Sequence, residues 1–174
     1  MKIILYMAMS VNGYIARKNG DEDFLSHKNW ETLCDIAKEC GCFIIGRKTY
    51  EAVQKWGEGY SFDNLEVREG VIITKNSDFK IDGNYMIANS PADAISKLKS
   101  KGFEKILVSG GSTVNSAFMK EGLIDEIILN VEPFVLGNGI RLFSEEEFEC
   151  GLELLESKSL SDGIMQFRYK VKKP

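Results

Sequence analysis

The sequence predicts one α/β domain spanning residues 1–174, with a mixed, mainly parallel central sheet, helices on both faces and a C-terminal antiparallel hairpin. Short apolar runs typical of strands buried on both faces alternate with segments of helical periodicity. The last two runs alternate apolar and polar residues around Ser161-Asp162-Gly163, which is a hairpin pattern. A chain of 174 residues, 44% of them hydrophobic, is long enough to bury a sizeable core.

The first half of the chain is predicted to contain three strands and two helices. The strands are expected at 2–9, 42–45 and 71–74, and the second helix at 47–53. The first helix, from Ser26 to near Gly41, is predicted by apolar residues at helical spacing: Trp30, Leu33, Cys34, Ala37 and Cys40. Residues 54–68, with two glycines, are predicted to be irregular and exposed.

The second half begins with a weaker strand at 85–88 and a helix capped by Ser90 that ends near Gly102. A strand at 105–109 leads into a helix opened by Ser112, and a further strand is expected at 124–131. Residues 133–149 form a connection so long that it invites a functional explanation. Strands at 152–160 and 164–171 complete the terminal hairpin.

Charge and composition exclude several classes of function. A net charge of −4 argues against a nucleic-acid-binding or anionic-membrane surface, because both need a broad basic field. The four cysteines show no C-x-x-C pair and no histidine at zinc-finger spacing, so we expect no metal site and free, mostly buried thiols. The apolar run at 2–7 is too short for a signal peptide or a membrane span. We therefore expect a cytoplasmic protein.

The candidate site is organised around residues 105–114. A predicted buried strand ends in Gly110-Gly111, and a helix follows directly. Glycines let a ligand approach the main chain, and the free N–H groups of a helix start attract an anion, so a dinucleotide pyrophosphate would suit this turn. A tight strand-to-helix turn with no ligand has the same pattern, and that alternative stays open on this feature alone.

Cations follow two other predicted strands. In Gly46-Arg47-Lys48-Thr49, the arginine can hold a phosphate bidentately and the lysine and hydroxyl can add to the grip. Thr74-Lys75 follows the next strand and, together with Arg47, could hold the ribose 2′-phosphate that distinguishes NADPH from NADH. The alternative for each is a solvated surface cation. Arg47 displaces the lysine that a P-loop requires, and no G-x-G-x-x-G follows the first strand, so neither an NTPase nor a standard Rossmann fingerprint is predicted.

Four motifs occur in one order across nearly the whole chain. They are Ala8-x-Ser10-x-Asn12-Gly13-x-Ile15-Ala16, Gly46-Arg47-Lys48-Thr49-Tyr50-Glu51, Gly110-Gly111, and Gly122-Leu123-Ile124-Asp125-Glu126-Ile127 with Pro133-x-x-Leu136-Gly137-x-Gly139. The series resembles the dihydrofolate reductase-like superfamily, in particular its branch related to the C-terminal reductase domain of bifunctional riboflavin biosynthesis proteins. The resemblance implies a dihydrofolate reductase-like fold, NADPH as cofactor and a homodimer.

The resemblance also implies positions for the cofactor. Ala8 and Ile15 would lie beside the nicotinamide, and Thr74 and Lys75 near the adenosine end. The phosphates and pyrophosphate would contact two groups of residues: Gly46, Arg47, Lys48 and Thr49, and Ser109, Gly110, Gly111, Ser112, Thr113 and Val114.

Two departures from the family pattern concern the substrate. Trp30 occupies the position of the carboxylate that holds the pterin in dihydrofolate reductases, and an indole cannot replace that acid, so folate reduction is disfavoured. Asn12 stands where the riboflavin-type branch usually has aspartate, which predicts a different substrate preference. Asn12, Trp30 and Glu132 are the candidate substrate-binding residues, and Arg141 is the one cation singled out for a substrate phosphate.

No proton donor is evident for the reaction. His27 is the only histidine and is expected to have a capping or surface role, and solvent could deliver the proton. Met9 and Phe134 could line an apolar pocket, although we favour a core role for Met9. The predicted function is an NADPH-dependent reductase of a small heterocyclic or ribosyl-aminopyrimidine compound, similar to 5-amino-6-(5-phosphoribosylamino)uracil reductase. The alternative is a non-catalytic dinucleotide-binding module with a sensing or interaction role.

Overall fold

The structure, a computed structural model, describes residues 1–81 and 83–173. Its strands are β1 (Lys2–Ser10), β2 (Tyr14–Ala16), β3 (Cys42–Gly46), β4 (Glu69–Ile73), β5 (Met86–Ala88), β6 (Lys105–Val108), β7 (Glu126–Glu132), β8 (Ile140–Arg141), β9 (Gly151–Ser159) and β10 (Met165–Lys172). Its α-helices are α1 (His27–Cys40), α2 (Arg47–Val53), α3 (Pro91–Ser100) and α4 (Ser112–Lys120). Two 3₁₀ turns span Phe62–Leu65 and Ser161–Gly163.

Eight strands form one sheet in the order β5-β4-β3-β6-β1-β7-β10-β9. The first six of these are parallel to one another, whereas β10 pairs antiparallel with both β7 and β9. The central strands are apolar because they are covered on both faces, and Leu5, Ile44 and Leu107 are fully buried. The predicted mixed, mainly parallel sheet with a C-terminal antiparallel hairpin is confirmed.

Helices cover both faces of the sheet, as predicted. On one face, residues of α1 and α2 pack on alternate residues of β1 and β3 and form the α1-side core: Ile4, Tyr6, Leu33, Ile36, Ala37, Phe43, Ile45, Tyr50 and Val53. On the other face, residues of α3 and α4 form the α4-side core: Leu5, Ile44, Ala94, Leu98, Ile106, Val108, Val114, Phe118 and Met119. Successive residues of a strand point to opposite faces, so β1 and β3 contribute to both cores.

Two local predictions were wrong. The segment 54–68 is not simply exposed, because Phe62 and Leu65 are 2% and 1% exposed, and Phe62 stacks on Phe43 with ring centroids 5.2 Å apart. Its aromatic residues cover the outer side of the α1-side core. In addition, Ser112 is the first residue of α4 and not its cap; Gly111 occupies the cap position.

The long connection at 133–149 contains a strand that the sequence did not reveal. β8 is only two residues long and pairs antiparallel with β2, placing Tyr14 opposite Arg141. So short a strand carries no periodicity, and its partner is more than a hundred residues away in the chain. The pairing closes a small third cluster of Ile15, Ala16 and Leu142 against Met7 and Met9.

The structure also shows the state of the cysteines and whether any helix could span a membrane or any side-chain cluster could hold a metal. All four cysteines are free; Cys40 and Cys42 are buried, but Cys34 is half-buried and Cys150 exposed, so burial of the thiols is less complete than predicted. Across 1–81 and 83–173, no helix combines the length and apolar character needed to cross a membrane. Within the same residues, no cluster of three or more acidic, histidine or cysteine side chains could hold a metal ion.

Candidate functional site

The carboxyl ends of β3 and β6 are joined by backbone hydrogen bonds. Ser109 N donates to Ile44 O at 3.0 Å, and Gly46 N donates to Gly110 O at 2.8 Å. Gly110 has φ +84°, a conformation that favours glycine. The turn between β6 and α4 therefore lies against the end of β3, although the two segments are more than sixty residues apart in the chain.

Close approach explains why glycine occupies two of these positions. A Cβ on Gly46 would lie 3.0 Å from Val114 Cγ2, and one on Gly111 would lie 3.2 Å from Thr49 Oγ1. We call Gly46, Thr49, Gly110, Gly111 and Val114 the glycine cradle. The first hydrogen bond into α4 runs from the residue 115 N–H to Gly111 O, so the N–H groups of residues 112–114 have no helical acceptor. Bare main chain, a hydroxyl and a helix start together fit a pyrophosphate, and the structure brings these predicted residues together.

The predicted cations lie along the same edge of the sheet. β3 and β4 are adjacent and parallel, so the residues that follow them are neighbours. Arg47 forms an ion pair with Glu51 at 2.7 Å, one turn further along α2, whereas Lys48 and Lys75 are exposed. Thr74 is 8% exposed and its hydroxyl accepts from the N–H of residue 76 at 3.1 Å, which turns the chain after β4. That Arg47 and Lys75 bind the same phosphate stays a prediction.

Ala8 and Ile15, the residues expected beside the nicotinamide, are both buried. Ala8 is 7% exposed on β1, and alternation along the strand places it on the same face as Tyr6, towards α1. Ile15 is 5% exposed on β2 and packs in the small third cluster with Met9, which is thus a core residue. Their contact with a nicotinamide stays a prediction.

Asn12 anchors a loop. Its Nδ2 donates to Leu136 O at 2.6 Å, and its Oδ1 accepts from Leu136 N at 3.2 Å and from Ser10 Oγ at 2.9 Å. The amide thereby ties the turn after β1 to the loop after β7. Aspartate could not donate to the Leu136 carbonyl, so the replacement of the family's acid by asparagine has a structural consequence here. A substrate contact of Asn12 stays a prediction.

Glu132 fastens the start of α1 to the end of β7. Its Oε1 accepts from Ser26 N at 2.8 Å, from Ser26 Oγ at 2.7 Å and from Asn29 Nδ2. The Ser26 hydroxyl is therefore engaged with Glu132 and does not cap the helix. Glu132 is 5% exposed, and its contacts are with the protein. Its predicted role towards a substrate is untested.

Trp30 belongs to an aromatic cluster, and a substrate contact of Trp30 stays a prediction. Its ring lies 5.3 Å from Tyr60, 5.9 Å from Phe62 and 6.0 Å from Trp56, measured between centroids. His27 Nδ1 lies 3.0 Å from Tyr60 Oη at the exposed rim of this cluster, which agrees with the surface role expected for the histidine. The aromatic cluster joins α1 to the 54–68 segment.

Two other predicted residues lie at the loops. Phe134 is 39% exposed and stacks on Phe24 at 5.3 Å. The Arg141 guanidinium lies 5.3 Å from the centroid of the Tyr14 ring. Neither contact tests a substrate role.

The sequence did not reveal the buried polar network behind β1. Asn130 Nδ2 lies 3.0 Å from both Tyr6 Oη and Asn29 Oδ1, and Tyr6 Oη donates to Asn29 O at 2.9 Å. Burial raises the pKa of Tyr6 above its usual value, and the charges of Glu132 and Glu22 act in the same direction. These contacts link β1, β7 and α1, and no local pattern distinguishes their residues.

Together, the mostly parallel sheet, the helices on both faces and the glycine cradle at the carboxyl ends of the strands define a dihydrofolate reductase-like domain of the RibD reductase type. The chain belongs to the family described as the RibD C-terminal domain, whose model matches residues 1–166.

Three known proteins illustrate this kinship. The chain is 32% identical over 167 residues to the uncharacterized protein YwjB of Bacillus subtilis (strain 168), covering 94% of each chain. It is 19% identical over 170 residues to the 2,5-diamino-6-ribosylamino-4(3H)-pyrimidinone 5′-phosphate reductase of Methanothermobacter thermautotrophicus, covering 78% of this chain and 79% of the relative. The crystal structure of a putative riboflavin biosynthesis protein from Shewanella sp. PV-4 superposes with a TM-score of 0.80 at 25% identity, covering 99% of this chain and all of the other.

Proposed function

We propose that the protein is an NADPH-dependent reductase that transfers hydride to a small heterocyclic or ribosyl-aminopyrimidine compound, similar to 5-amino-6-(5-phosphoribosylamino)uracil. The observation that carries the proposal is the glycine cradle, where a strand end, a hydroxyl and the free N–H groups at the start of α4 come together in a donor set that suits a pyrophosphate. Membership of the RibD C-terminal domain family and the likeness to the 2,5-diamino-6-ribosylamino-4(3H)-pyrimidinone 5′-phosphate reductase of Methanothermobacter thermautotrophicus support the substrate class.

Bound NADPH supplies the hydride, which leaves C4 of its nicotinamide. The cradle residues would hold the pyrophosphate through main-chain N–H groups and the Thr49 hydroxyl. Arg47 and Lys75 would hold the 2′-phosphate, and Ala8, with its small side chain, would let the nicotinamide lie against β1. In this arrangement the protein contributes mainly by fixing the two reactants in contact and excluding water.

The test is to follow NADPH oxidation with three acceptors: 5-amino-6-(5-phosphoribosylamino)uracil, 2,5-diamino-6-ribosylamino-4(3H)-pyrimidinone 5′-phosphate and dihydrofolate. We expect turnover with an aminopyrimidine and none with dihydrofolate, since Trp30 replaces the pterin-binding acid. Calorimetry with NADPH runs in parallel. Binding without acceptor-dependent oxidation would favour the dinucleotide-binding module instead, and absence of binding would refute both.

We also propose that the protein is a homodimer in the cytoplasm, joined through the terminal hairpin. Every residue of β9 is exposed, and this strand ends the sheet. Leu152 and Leu154 lie opposite Val171 and Tyr169 of β10 and are 40% and 54% exposed. Cross-strand partners share a face, so these side chains form an apolar ladder that a second copy could cover. Free thiols suit a reducing compartment.

A further inference from the structure

Glu22 lies in the loop between β2 and α1, and the loop is fixed on both sides of it. Arg17 N donates to Asp21 O at 2.8 Å before it, and Leu25 N donates to Glu22 O at 2.9 Å after it. Phe24 then stacks on Phe134 of the loop after β7. The position of this carboxyl is thus set by the fold and not by a free loop tip.

The other acids around this loop all have partners. Asp21 accepts from Asn19 at 2.6 Å, Asp23 from Arg17, and Glu132 from Ser26 and Asn29. Among residues 1–81 and 83–173, no hydrogen bond or ion pair reaches the side chain of Glu22, which is half-buried. A carboxyl in this setting is held without a cation to neutralise it, which is costly for its charged form.

The loop that carries Glu22 lies at the carboxyl end of β1, on its α1 side. Ser26, four residues after Glu22, donates to Glu132 from its N–H at 2.8 Å and from its hydroxyl at 2.7 Å, and Glu132 of β7 lies opposite Ser10 of β1. Alternation along β1 puts Ala8, two residues before Ser10, on the same face as Ser10 and Tyr6. Ala8 is where the proposed function puts the nicotinamide, so the loop of Glu22 borders the space in which a substrate would meet it.

We propose that Glu22 is the proton donor of the reduction, a role that rests on the proposed function. Hydride from C4 of NADPH forms a bond to the acceptor carbon of a C=O or C=N group. The π-electron pair of that group moves to its oxygen or nitrogen, which takes the proton of the Glu22 carboxylic acid. The products are NADP⁺, the reduced substrate and a Glu22 carboxylate, which regains a proton from solvent when the product leaves.

The protonation state of Glu22 agrees with this role. Burial raises the pKa of Glu22 to about 8, so the carboxyl carries its proton at neutral pH. Arg17, a cation of the same loop, is paired with Asp23, and Glu132, which contacts the end of this loop from β7, is an acid, so neither favours the Glu22 carboxylate.

The kinetic test uses Glu22→Gln with 5-amino-6-(5-phosphoribosylamino)uracil and NADPH. We expect kcat to fall about 100-fold or more, with the affinity for NADPH unchanged, because an amide of the same shape cannot donate the proton in this step. In the wild type kcat/KM should decline as the pH rises through the pKa of Glu22, and the variant should lose this decline. Glu31→Gln, the same change on the exposed surface of α1, should behave as wild type. Wild-type kinetics in Glu22→Gln would overturn the proposal.

A second measurement does not depend on turnover. The Glu22 carboxyl is titrated by NMR in protein with labelled glutamate, assigned through the Glu22→Gln variant, once with NADPH and once with NADP⁺. We expect a lower midpoint with NADP⁺, because the oxidised ring is positively charged and favours the carboxylate. Equal midpoints would place Glu22 away from the nicotinamide and overturn its role even if no acceptor is turned over. Absence of cofactor binding in calorimetry would instead refute the proposed function, and the proton-donor role with it.

Discussion

Arg47 offers the sharpest test of the proposed NADPH site. Its guanidinium now pairs with Glu51 at 2.7 Å, and an exposed pair of this spacing on a helix is worth about 0.3–0.5 kcal/mol. A charge-assisted contact to a 2′-phosphate contributes about 1.5–3 kcal/mol. The net loss in Arg47→Ala is therefore about 1–2.5 kcal/mol, which weakens NADPH about 5- to 70-fold. NADH lacks this phosphate and should bind with nearly unchanged affinity.

Isothermal titration calorimetry with both cofactors measures the effect. A second variant, at Glu51, tests the same contact from the side of its ion-pair partner. Glu51→Gln frees the guanidinium and should strengthen NADPH binding by about twofold, but it should give no gain when Arg47 is already alanine. Lys38→Ala is the control. Lys38 is also an ion-paired cation, with Glu66 as its partner, but it lies in the last turn of α1, next to the amino end of β3 and not to its carboxyl end. Equal losses of NADPH and NADH in Arg47→Ala would refute a 2′-phosphate role.

Three further predictions concern stability and assembly. Phe62→Ala should lower the free energy of unfolding by about 3–5 kcal/mol in urea titrations, because it removes a buried ring stacked on Phe43. Burial opposes the ionisation of Glu126, but contacts with Lys2 and Arg168 outweigh it and hold its pKa below the usual value. Glu126→Gln should therefore cost about 1 kcal/mol at pH 7, where the ion pairs are formed, and progressively less as the pH falls through the lowered pKa of Glu126. Leu154→Glu should convert a dimer into a monomer in light-scattering measurements, whereas Lys158→Glu on the same strand should not.

Each of these three has a clear contrary result. A loss under about 1 kcal/mol in Phe62→Ala would mean that the 54–68 segment does not cover the core. A cost of Glu126→Gln that stays constant with pH would show that ionisation of the acid does not stabilise the fold. A wild-type monomer, or a Leu154→Glu dimer, would remove the hairpin from the interface.

The strands and helices could be predicted from the sequence because each shows a pattern of apolar residues within its own segment. Buried strands such as 42–46 are apolar along their whole length, and α1 shows its buried face through the spacing of residues such as Leu33 and Ala37. Features that depend on contacts between distant segments were not predicted. β8 is too short to have a period, and the burial of Phe62 depends on a partner in β3, nineteen positions earlier.

The candidate site, too, was predicted in part from the sequence and decided in part by the tertiary structure. Glycines and cations after strands mark the edge at which a nucleotide would bind, because the ends of parallel strands always meet there. That Gly46 touches the Gly110 turn follows from the order of strands in the sheet, which places β3 beside β6. Glu22 and Glu132 look alike in the sequence, yet the fold surrounds Glu132 with donors and, within residues 1–81 and 83–173, gives the Glu22 side chain none. The chemistry of a carboxyl depends on its neighbours in space, and those are set by packing across the whole chain.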